Sequence, residues 1–105
     1  RSIYTPWLTP DGGFHSDLTM MRLGEDRVRI VTGVFDGGRD EFWTRRHMPT
    51  DGSVTFTNIT KQLTTLGLWG PRAPAVLSQL TDQDLSQDGS PYGSIIPAGL
   101  ACGGR

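Results

Sequence analysis

The 105-residue sequence has one cysteine, no long apolar run and almost no net charge. The lone Cys102 excludes an internal disulfide framework and a zinc site built from cysteines, and it favours a reducing compartment. No apolar stretch approaches the roughly 20 residues that cross a bilayer, and no signal-peptide pattern is present. A formal net charge of −1 gives no general attraction to nucleic acid or to an anionic membrane. We therefore expect a protein of the cytoplasm or mitochondrial matrix, neither secreted nor membrane-bound.

The chain is rich in turn-forming residues but carries enough bulky apolar side chains for one core. It has 14 Gly and 7 Pro, together with 3 Trp, 4 Phe and 2 Tyr. This balance predicts one small ordered domain, or part of one, and excludes a disordered chain. Because the sequence begins at Arg1 and already has a strand pattern at Ile3, we expect it to be an internal segment of a longer protein.

Turn signals and hydrophobic alternation predict an α+β fold that opens with a β-hairpin. Extended runs at 3–8 and 14–23 flank a turn at 10–13, and a β-branched strand follows at 28–32. Asp36 or the glycines after it can open a helix that continues to about His47. The remaining elements are strands at 53–57, 66–69 and 94–99, a helical turn within 58–63 and a helix from Pro71 to about Leu80.

This order of elements predicts a ferredoxin-like segment inside one partial domain that spans residues 1–105. From 27 to 96 the order is β-α-β-β-α with one further strand, which suits helices layered on an antiparallel sheet. The hairpin at 3–23 precedes this layer, and a loose tail at 98–105 follows it. Trp43 and Trp69 occupy apolar positions of a helix and a strand, so both are expected in the core.

Several short blocks occur in one order along the chain. They are YTPWL at 4–8, GG at 12–13, SDLT at 16–19, RL at 22–23, IVTG at 30–33, RD at 39–40, W at 43, RRH at 45–47, DGSV at 51–54, LGLWGPR at 66–72 and LTD at 80–82. In order and spacing these blocks resemble the folate-binding domain of the dimethylglycine and sarcosine dehydrogenase family, with the glycine-cleavage aminomethyltransferase, or T-protein, as the wider relative. The resemblance covers about residues 4–92, and no single block is specific by itself.

The resemblance implies a domain in which tetrahydrofolate accepts a one-carbon unit from an amine-linked methylene or iminium donor, derived from a methylated amine. The folate amine attacks an electrophilic carbon, so a nearby carboxylate can orient that amine and take up its proton. FAD is expected only in a separate domain of the parent protein. A non-catalytic domain of the same fold, acting through folate binding or protein contact, is the alternative.

Asp17 and Tyr4 are the residues that the resemblance places at the centre of the site. Asp17 matches the second of two adjacent Asp residues in the T-protein pattern, which is the functional carboxylate, and Ser16 replaces the first. Tyr4 matches a tyrosine that lines the folate pocket. If the two lie across a hairpin from each other, a phenol ring and a carboxylate can face the pterin side by side. From the residues alone, Asp17 is a turn or surface residue and Tyr4 a packing residue.

Three further residues are predicted to bind folate. Thr19 lies on the same strand face as Asp17, and the resemblance implies that its backbone contacts the ligand. Thr32 and Gly33 fall near a family Asn that touches folate, and a gap of one residue would place either of them there.

Other prominent groups have simpler explanations. The cations at 45–47 lie at the end of a predicted helix, where the helix dipole favours them. His15 and His47 lack partners at metal-ligand spacing, so no metal site is predicted.

The chain lacks two parts of the family pattern, one before Tyr4 and one after Tyr92. The later part carries an Arg and a Glu that bind the pterin and the folate tail. Because a folate site needs walls from the whole domain, we expect the remainder of the parent domain to be required for binding.

Overall fold

The computed structural model describes residues 1–101, which form an α+β arrangement of three strands and two helices. The strands make one antiparallel sheet in the order β1-β2-β3. The predicted α+β class is therefore confirmed. The elements are β1 (Ser2–Leu8), β2 (Phe14–Arg22), β3 (Val28–Val31), α1 (Gly37–His47), a single 3₁₀ turn (Thr60–Gln62) and α2 (Ala73–Leu77).

The hairpin between β1 and β2 closes through the connection at 9–13, whose tight turn depends on Gly12. The Thr9 N–H donates to the Gly13 carbonyl over 2.7 Å, and the Gly12 N–H donates to the Thr9 carbonyl over 2.9 Å. Gly12 has a φ of +83°, in the left-handed region that this loop requires and that glycine adopts without steric cost. The predicted turn at 10–13 is confirmed, and it places β2 beside β1.

The register of β2 with β3 separates a buried face from an open one. Thr19 lies opposite Val31 in the antiparallel ladder. Because successive side chains on a strand point to opposite faces, Ser16 and Leu18 share one face of β2, whereas Asp17 and Thr19 share the other. Ser16 and Leu18 are 1% and 2% exposed, whereas Asp17 is exposed. The first of these faces is therefore the one that packs against the rest of the chain.

Helix α1 begins after Asp36 and ends at His47, as the sequence predicted. Its last turn carries Arg45, Arg46 and His47, at the end where the helix dipole favours positive charge. Met48 is extended, with φ −70° and ψ 147°, because a residue that precedes a proline is sterically excluded from the helical region.

The strands predicted at 53–57, 66–69 and 94–99 are absent from the described part of the chain. The first of these segments packs on α1 instead. The Arg45 guanidinium lies 4.8 Å from the centre of the Phe56 ring, and Asn58 Nδ2 donates to Glu41 Oε2 over 2.6 Å. Alternation favours a strand only where a partner strand completes the ladder. These three strand predictions are wrong, and the ferredoxin-like order is not confirmed.

The two tryptophans predicted as core residues differ in the structure. Trp43 is partly buried on α1, whereas Trp69 is 87% exposed and the neighbouring Leu66 is 89% exposed. A short apolar run does not by itself determine which element covers it. The core prediction is therefore wrong for Trp69.

The described residues divide into two compact units, one of which is Ile3–Thr65 and the other Arg1–Ser2 with Leu66 onward. In the second unit, the Ser2 N–H donates to the Gly93 carbonyl over 2.7 Å. Helix α2 starts later and ends earlier than predicted, with Pro74 rather than Pro71 in its first turn. Cys102 and the tail beyond it lie outside the described residues.

None of the helices in residues 1–101 has both the length and the apolar character needed to cross a membrane.

Candidate functional site

The hairpin brings together the two residues predicted to form the centre of the site. The Tyr4 hydroxyl, on β1, donates a hydrogen bond to Asp17 Oδ2 on β2. Tyr4 is 73% exposed and Asp17 is exposed as well. A phenol ring and a carboxylate therefore lie side by side on an open surface, as predicted. The role of either residue in binding or catalysis stays a prediction.

In the Tyr4–Asp17 hydrogen bond the phenol is the donor and the carboxylate is the acceptor. This bond is the largest of three effects that raise the pKa of Tyr4 above its ordinary value of 10.0. The other two are partial loss of solvent and the negative charge of Asp17. At neutral pH the phenol is therefore protonated and serves as the donor. The bond uses Oδ2 of Asp17, and the exposed carboxylate remains accessible to a ligand.

Of the three other predicted residues, Thr19 shares the sheet face of Asp17, whereas Thr32 does not. Continuing the register of Thr19 with Val31 places Thr32 opposite Leu18, on the buried face. Its hydroxyl donates a hydrogen bond to Asp40 Oδ2. Any contact of Thr32 with a ligand on the Asp17 face would therefore come from its backbone.

Gly33 is exposed beyond the end of β3. Its carbonyl accepts the Asp36 N–H over 3.0 Å, which begins the turn that leads into α1. The binding roles of Thr19, Thr32 and Gly33 stay predictions.

A buried carboxylate that the sequence did not reveal lies behind this face. Asp40, in the first turn of α1, is 2% exposed. Its Oδ2 accepts hydrogen bonds from the Ser16 hydroxyl, over 2.7 Å, and from Thr32. Its Oδ1 accepts a weaker bond from Arg39 Nε over 3.4 Å. Asp40 thus connects α1 to both β2 and the end of β3.

The hydrogen bonds around Asp40 keep it ionised. Burial acts to raise the pKa of Asp40, but hydrogen bonds from Thr32, Ser16 and Arg39, together with the charge of Arg39, outweigh burial. They hold its pKa below the ordinary value of 3.8. Arg39 also pairs with Asp36 Oδ1 over 2.9 Å. An anion is therefore held almost out of solvent by two neutral hydroxyls and one partly exposed guanidinium.

Two histidines from distant parts of the sequence contact the ring of one tryptophan. His15 is stacked on Trp43 with the ring centres 3.9 Å apart, and His47 is tilted against Trp43 with the ring centres 4.3 Å apart. His15 Nε2 is buried without a hydrogen-bond partner in the described chain, 3.7 Å from Asp40 Oδ1. The stack borders an apolar groove of about 460 Å³, lined by Pro6, Trp7, Leu8, Trp43, Thr44, His47, Met48, Pro49 and Val54.

The sequence contained only a weak signal for these groups. An Asp in the first turn of a helix is ordinarily explained by the helix dipole, which gave no reason to single out Asp40. The spacing of His15 and His47 in the sequence gives no indication that both contact Trp43. Within residues 1–101 no group of three or more potential metal-binding side chains is present.

Comparison of the sequence with known proteins finds relatives among aminomethyltransferases. The aminomethyltransferase of Bacillus subtilis (strain 168) is 36% identical over 86 residues, which are 82% of this chain and 23% of that protein. The aminomethyltransferase of Chloroherpeton thalassium is 31% identical over 105 residues, which are 100% of this chain and 28% of that protein. The mitochondrial dimethylglycine dehydrogenase of Homo sapiens is 35% identical over 82 residues, which are 77% of this chain and 10% of that protein.

The chain thus spans about a quarter of the length of these aminomethyltransferases. No solved structure matches it. Residues 1–102 match the GCVT N-terminal domain, a match that covers nearly the whole chain and confirms the resemblance carried by its sequence blocks. This chain therefore belongs to the GCVT N-terminal domain family.

Proposed function

We propose that this chain forms part of a tetrahydrofolate-dependent domain that transfers a methylene or aminomethyl unit from an amine-linked methylene or iminium donor, which oxidation of a methylated amine in a separate FAD domain of the parent protein would supply. The observation that carries this proposal is the exposed Tyr4–Asp17 pair, which joins a protonated phenol to a carboxylate on one surface. Membership of the GCVT N-terminal domain family supports it, as does the sequence similarity to the aminomethyltransferases of Bacillus subtilis and Chloroherpeton thalassium.

The residues on the hairpin have the chemistry that such a transfer needs. When bound, tetrahydrofolate supplies the amine nitrogen that accepts the one-carbon unit. Asp17 would orient that amine and take the proton it loses, acting as a general base. The Tyr4 hydroxyl holds Asp17 Oδ2 and leaves the other oxygen for the ligand, while the exposed Tyr4 ring offers a flat surface to a pterin.

The backbone around Thr19, Thr32 and Gly33 would complete the wall of this site on the side of β2 and β3. We propose backbone rather than side-chain contacts for Thr32, because its hydroxyl is already bonded to Asp40.

We propose that the remainder of the parent domain completes the pocket. A ligand pocket buries most of its ligand, whereas Tyr4 and Asp17 lie on an open surface. Large apolar side chains elsewhere are similarly uncovered, among them Val34, Phe35, Leu66 and Trp69. The ferredoxin-like arrangement would then belong to the complete domain, of which the 105 residues are a part. Alone, this chain is expected to bind tetrahydrofolate weakly or not at all.

We further propose a parent protein of the dimethylglycine or sarcosine dehydrogenase type, in which FAD occupies a separate domain. The likeness to human mitochondrial dimethylglycine dehydrogenase supports this context. A dinucleotide-binding Gly-x-Gly-x-x-Gly segment elsewhere in the parent protein would be its signature. The cytoplasm or the mitochondrial matrix is the proposed compartment.

The test is formation of methylene-tetrahydrofolate by the full-length parent protein, with and without Asp17→Asn. Loss of the general base is expected to slow transfer by about 10²- to 10⁴-fold. Asp26→Asn is the matched control, because it changes an exposed carboxylate in the turn between β2 and β3. Unchanged transfer by the Asp17→Asn protein would remove Asp17 from the mechanism, whereas folate binding without transfer in the wild type would favour the non-catalytic alternative.

A further inference from the structure

We infer that Asp40 is a positioning residue that holds β2 so that Asp17 points into the folate site. The inference rests on the proposed function, because it assigns Asp40 a purpose in the same reaction. Asp40 does not reach the Tyr4–Asp17 surface itself. It acts through Ser16, the residue that directly precedes Asp17.

The contacts of Asp40 meet at one atom. Its Oδ2 accepts the hydroxyl of Ser16 from β2 and the hydroxyl of Thr32 from the end of β3. Asp40 itself is carried by the first turn of α1. Two neighbouring strands and a helix are therefore fixed relative to one another by a single carboxylate oxygen.

The position of this connection determines the direction of Asp17. Ser16 and Asp17 point to opposite faces of β2, so a strand whose position 16 is anchored from behind presents position 17 in front. On the front, Tyr4 binds Asp17 Oδ2. The strand is thus anchored behind the sheet at Ser16 and the Asp17 carboxylate is held in front of it by Tyr4. A displacement of about 1 Å at a catalytic group can cost roughly 100-fold in rate.

The surroundings of Asp40 restrict its own movement. Oδ1 lies 3.4 Å from Arg39 Nε and 3.7 Å from His15 Nε2, and the His15 ring is stacked on Trp43. Among residues 1–101, Arg39 and His15 are the charged or titratable groups found within 4 Å of this carboxylate.

A contribution to stability does not by itself explain why a carboxylate occupies position 40. Removing an anion from water carries a large desolvation cost, and apolar side chains of similar size often fill such a position as well or better. A carboxylate does what an apolar side chain cannot, because it fixes two hydroxyls in direction as well as in distance.

A double-mutant cycle in the full-length parent protein tests the inference. Asp40→Asn keeps the size of the side chain but weakens its bonds, and it is expected to lower kcat for one-carbon transfer about 10-fold, with a smaller change in KM. In an Asp17→Asn background the same substitution should have almost no further effect, because residues that act through one another are not additive. If Asp40 served stability alone, the fold-reductions in transfer caused by Asp40→Asn and Asp17→Asn would multiply in the double variant.

Two companion variants keep the test decisive. Ser16→Ala removes one donor to Asp40 and can replace Asp40→Asn in the cycle if that protein does not fold. Thr44→Val is the control, because the Thr44 hydroxyl donates to the Asp40 backbone carbonyl over 2.8 Å and not to its carboxylate. Full activity after Thr44→Val and non-additive losses at positions 16 or 40 would support the positioning role.

The two proposals fail in different ways. If Asp17→Asn has wild-type activity, the proposed function of Asp17 is wrong. If Asp17→Asn is inactive or slow but the second substitution multiplies the loss, or has no effect on wild-type transfer, only the positioning role of Asp40 is overturned.

Discussion

Tyr4 and Asp17, 13 residues apart in the sequence, are joined by a hydrogen bond from the phenol to the carboxylate across the β1–β2 hairpin. Neither group is buried, so the bond is not needed to satisfy a polar atom in the core. It orients a carboxylate on an open surface of a chain from the GCVT N-terminal domain family. This orientation leads to two predictions about Tyr4.

Removing the Tyr4 hydroxyl is expected to affect transfer much more than stability. In Tyr4→Phe the ring remains but Asp17 loses its donor, so transfer by the full-length protein should fall by about 3- to 10-fold, the equivalent of one ordinary hydrogen bond. Because Tyr4 is 73% exposed, the free energy of unfolding should change by less than about 0.5 kcal/mol. Tyr92→Phe is the control, since Tyr92 is fully exposed. Equal rates for Tyr4→Phe and wild type would mean that the bond does not serve the reaction.

The pKa of the Tyr4 phenol reports whether the bond persists in solution. Asp17 raises that pKa above 10.0 by accepting the phenolic hydrogen and by its negative charge. Asp17→Asn should therefore lower the pKa of Tyr4 towards 10.0, as measured by NMR titration of labelled tyrosine with Tyr4→Phe to assign the signal. The sign follows from the favoured form, because a carboxylate neighbour stabilises the neutral phenol over the phenolate. A pKa that does not move after Asp17→Asn would show that the two groups are apart.

The sequence predicted the hairpin well because its signals are local. The turn residues at 10–13, ending in two glycines, determine a loop type directly, and the loop in turn determines which residues of β1 and β2 meet. The Tyr4–Asp17 pair could therefore be predicted from spacing together with the family resemblance.

The sequence failed where structure depends on distant partners. Val54 to Phe56 alternate as in a strand, yet Phe56 packs under Arg45 of α1. In the sequence, Asp40 has the pattern of an ordinary acidic residue in the first turn of a helix. Its role depends on the hydrogen bond from Ser16, which lies 24 residues earlier in the chain. Pairings of this kind are tertiary, and neither propensity nor periodicity contains them.

A side chain at Gly12 should destabilise the hairpin loop, although there is space for one. A Cβ at Gly12 would meet no atom within 4 Å, but φ is +83°, so Gly12→Ala should destabilise the protein by about 1–2 kcal/mol through backbone strain alone. Gly38→Ala is the matched control, because that site is equally open and lies in α1. There alanine should stabilise by about 0.5–1 kcal/mol. Thermal unfolding of the two variants distinguishes conformational strain from crowding, and a harmless Gly12→Ala would contradict the loop geometry.

Truncating the buried carboxylate should be among the most damaging changes in the described chain. Asp40→Ala leaves the Ser16 and Thr32 hydroxyls without their acceptor, and a loss of about 3 kcal/mol in the free energy of unfolding is expected. Asp36→Asn alters the neighbouring carboxylate, whose side chain is 41% exposed in its pair with Arg39, and should cost less than about 1 kcal/mol. Denaturant titration of both variants measures the difference. Similar losses for the two would mean that Asp40 is solvated in solution.

The acid sensitivity of the protein should depend in part on Asp40. Burial opposes its ionisation, but bonds from Thr32, Ser16 and Arg39 lower its folded-state pKa below 3.8. A carboxyl with a lowered folded-state pKa adds stability that is fully present above the unfolded-state value and is lost as the pH falls through the folded-state value. The gap in unfolding free energy between wild type and Asp40→Asn should therefore be constant from about pH 7 to about pH 5 and shrink below pH 3.8. Denaturant titrations across this range measure the gap, with Asp26→Asn as the control. A gap that stays constant into strong acid would show that the hydrogen bonds of Asp40 do not favour its ionised form.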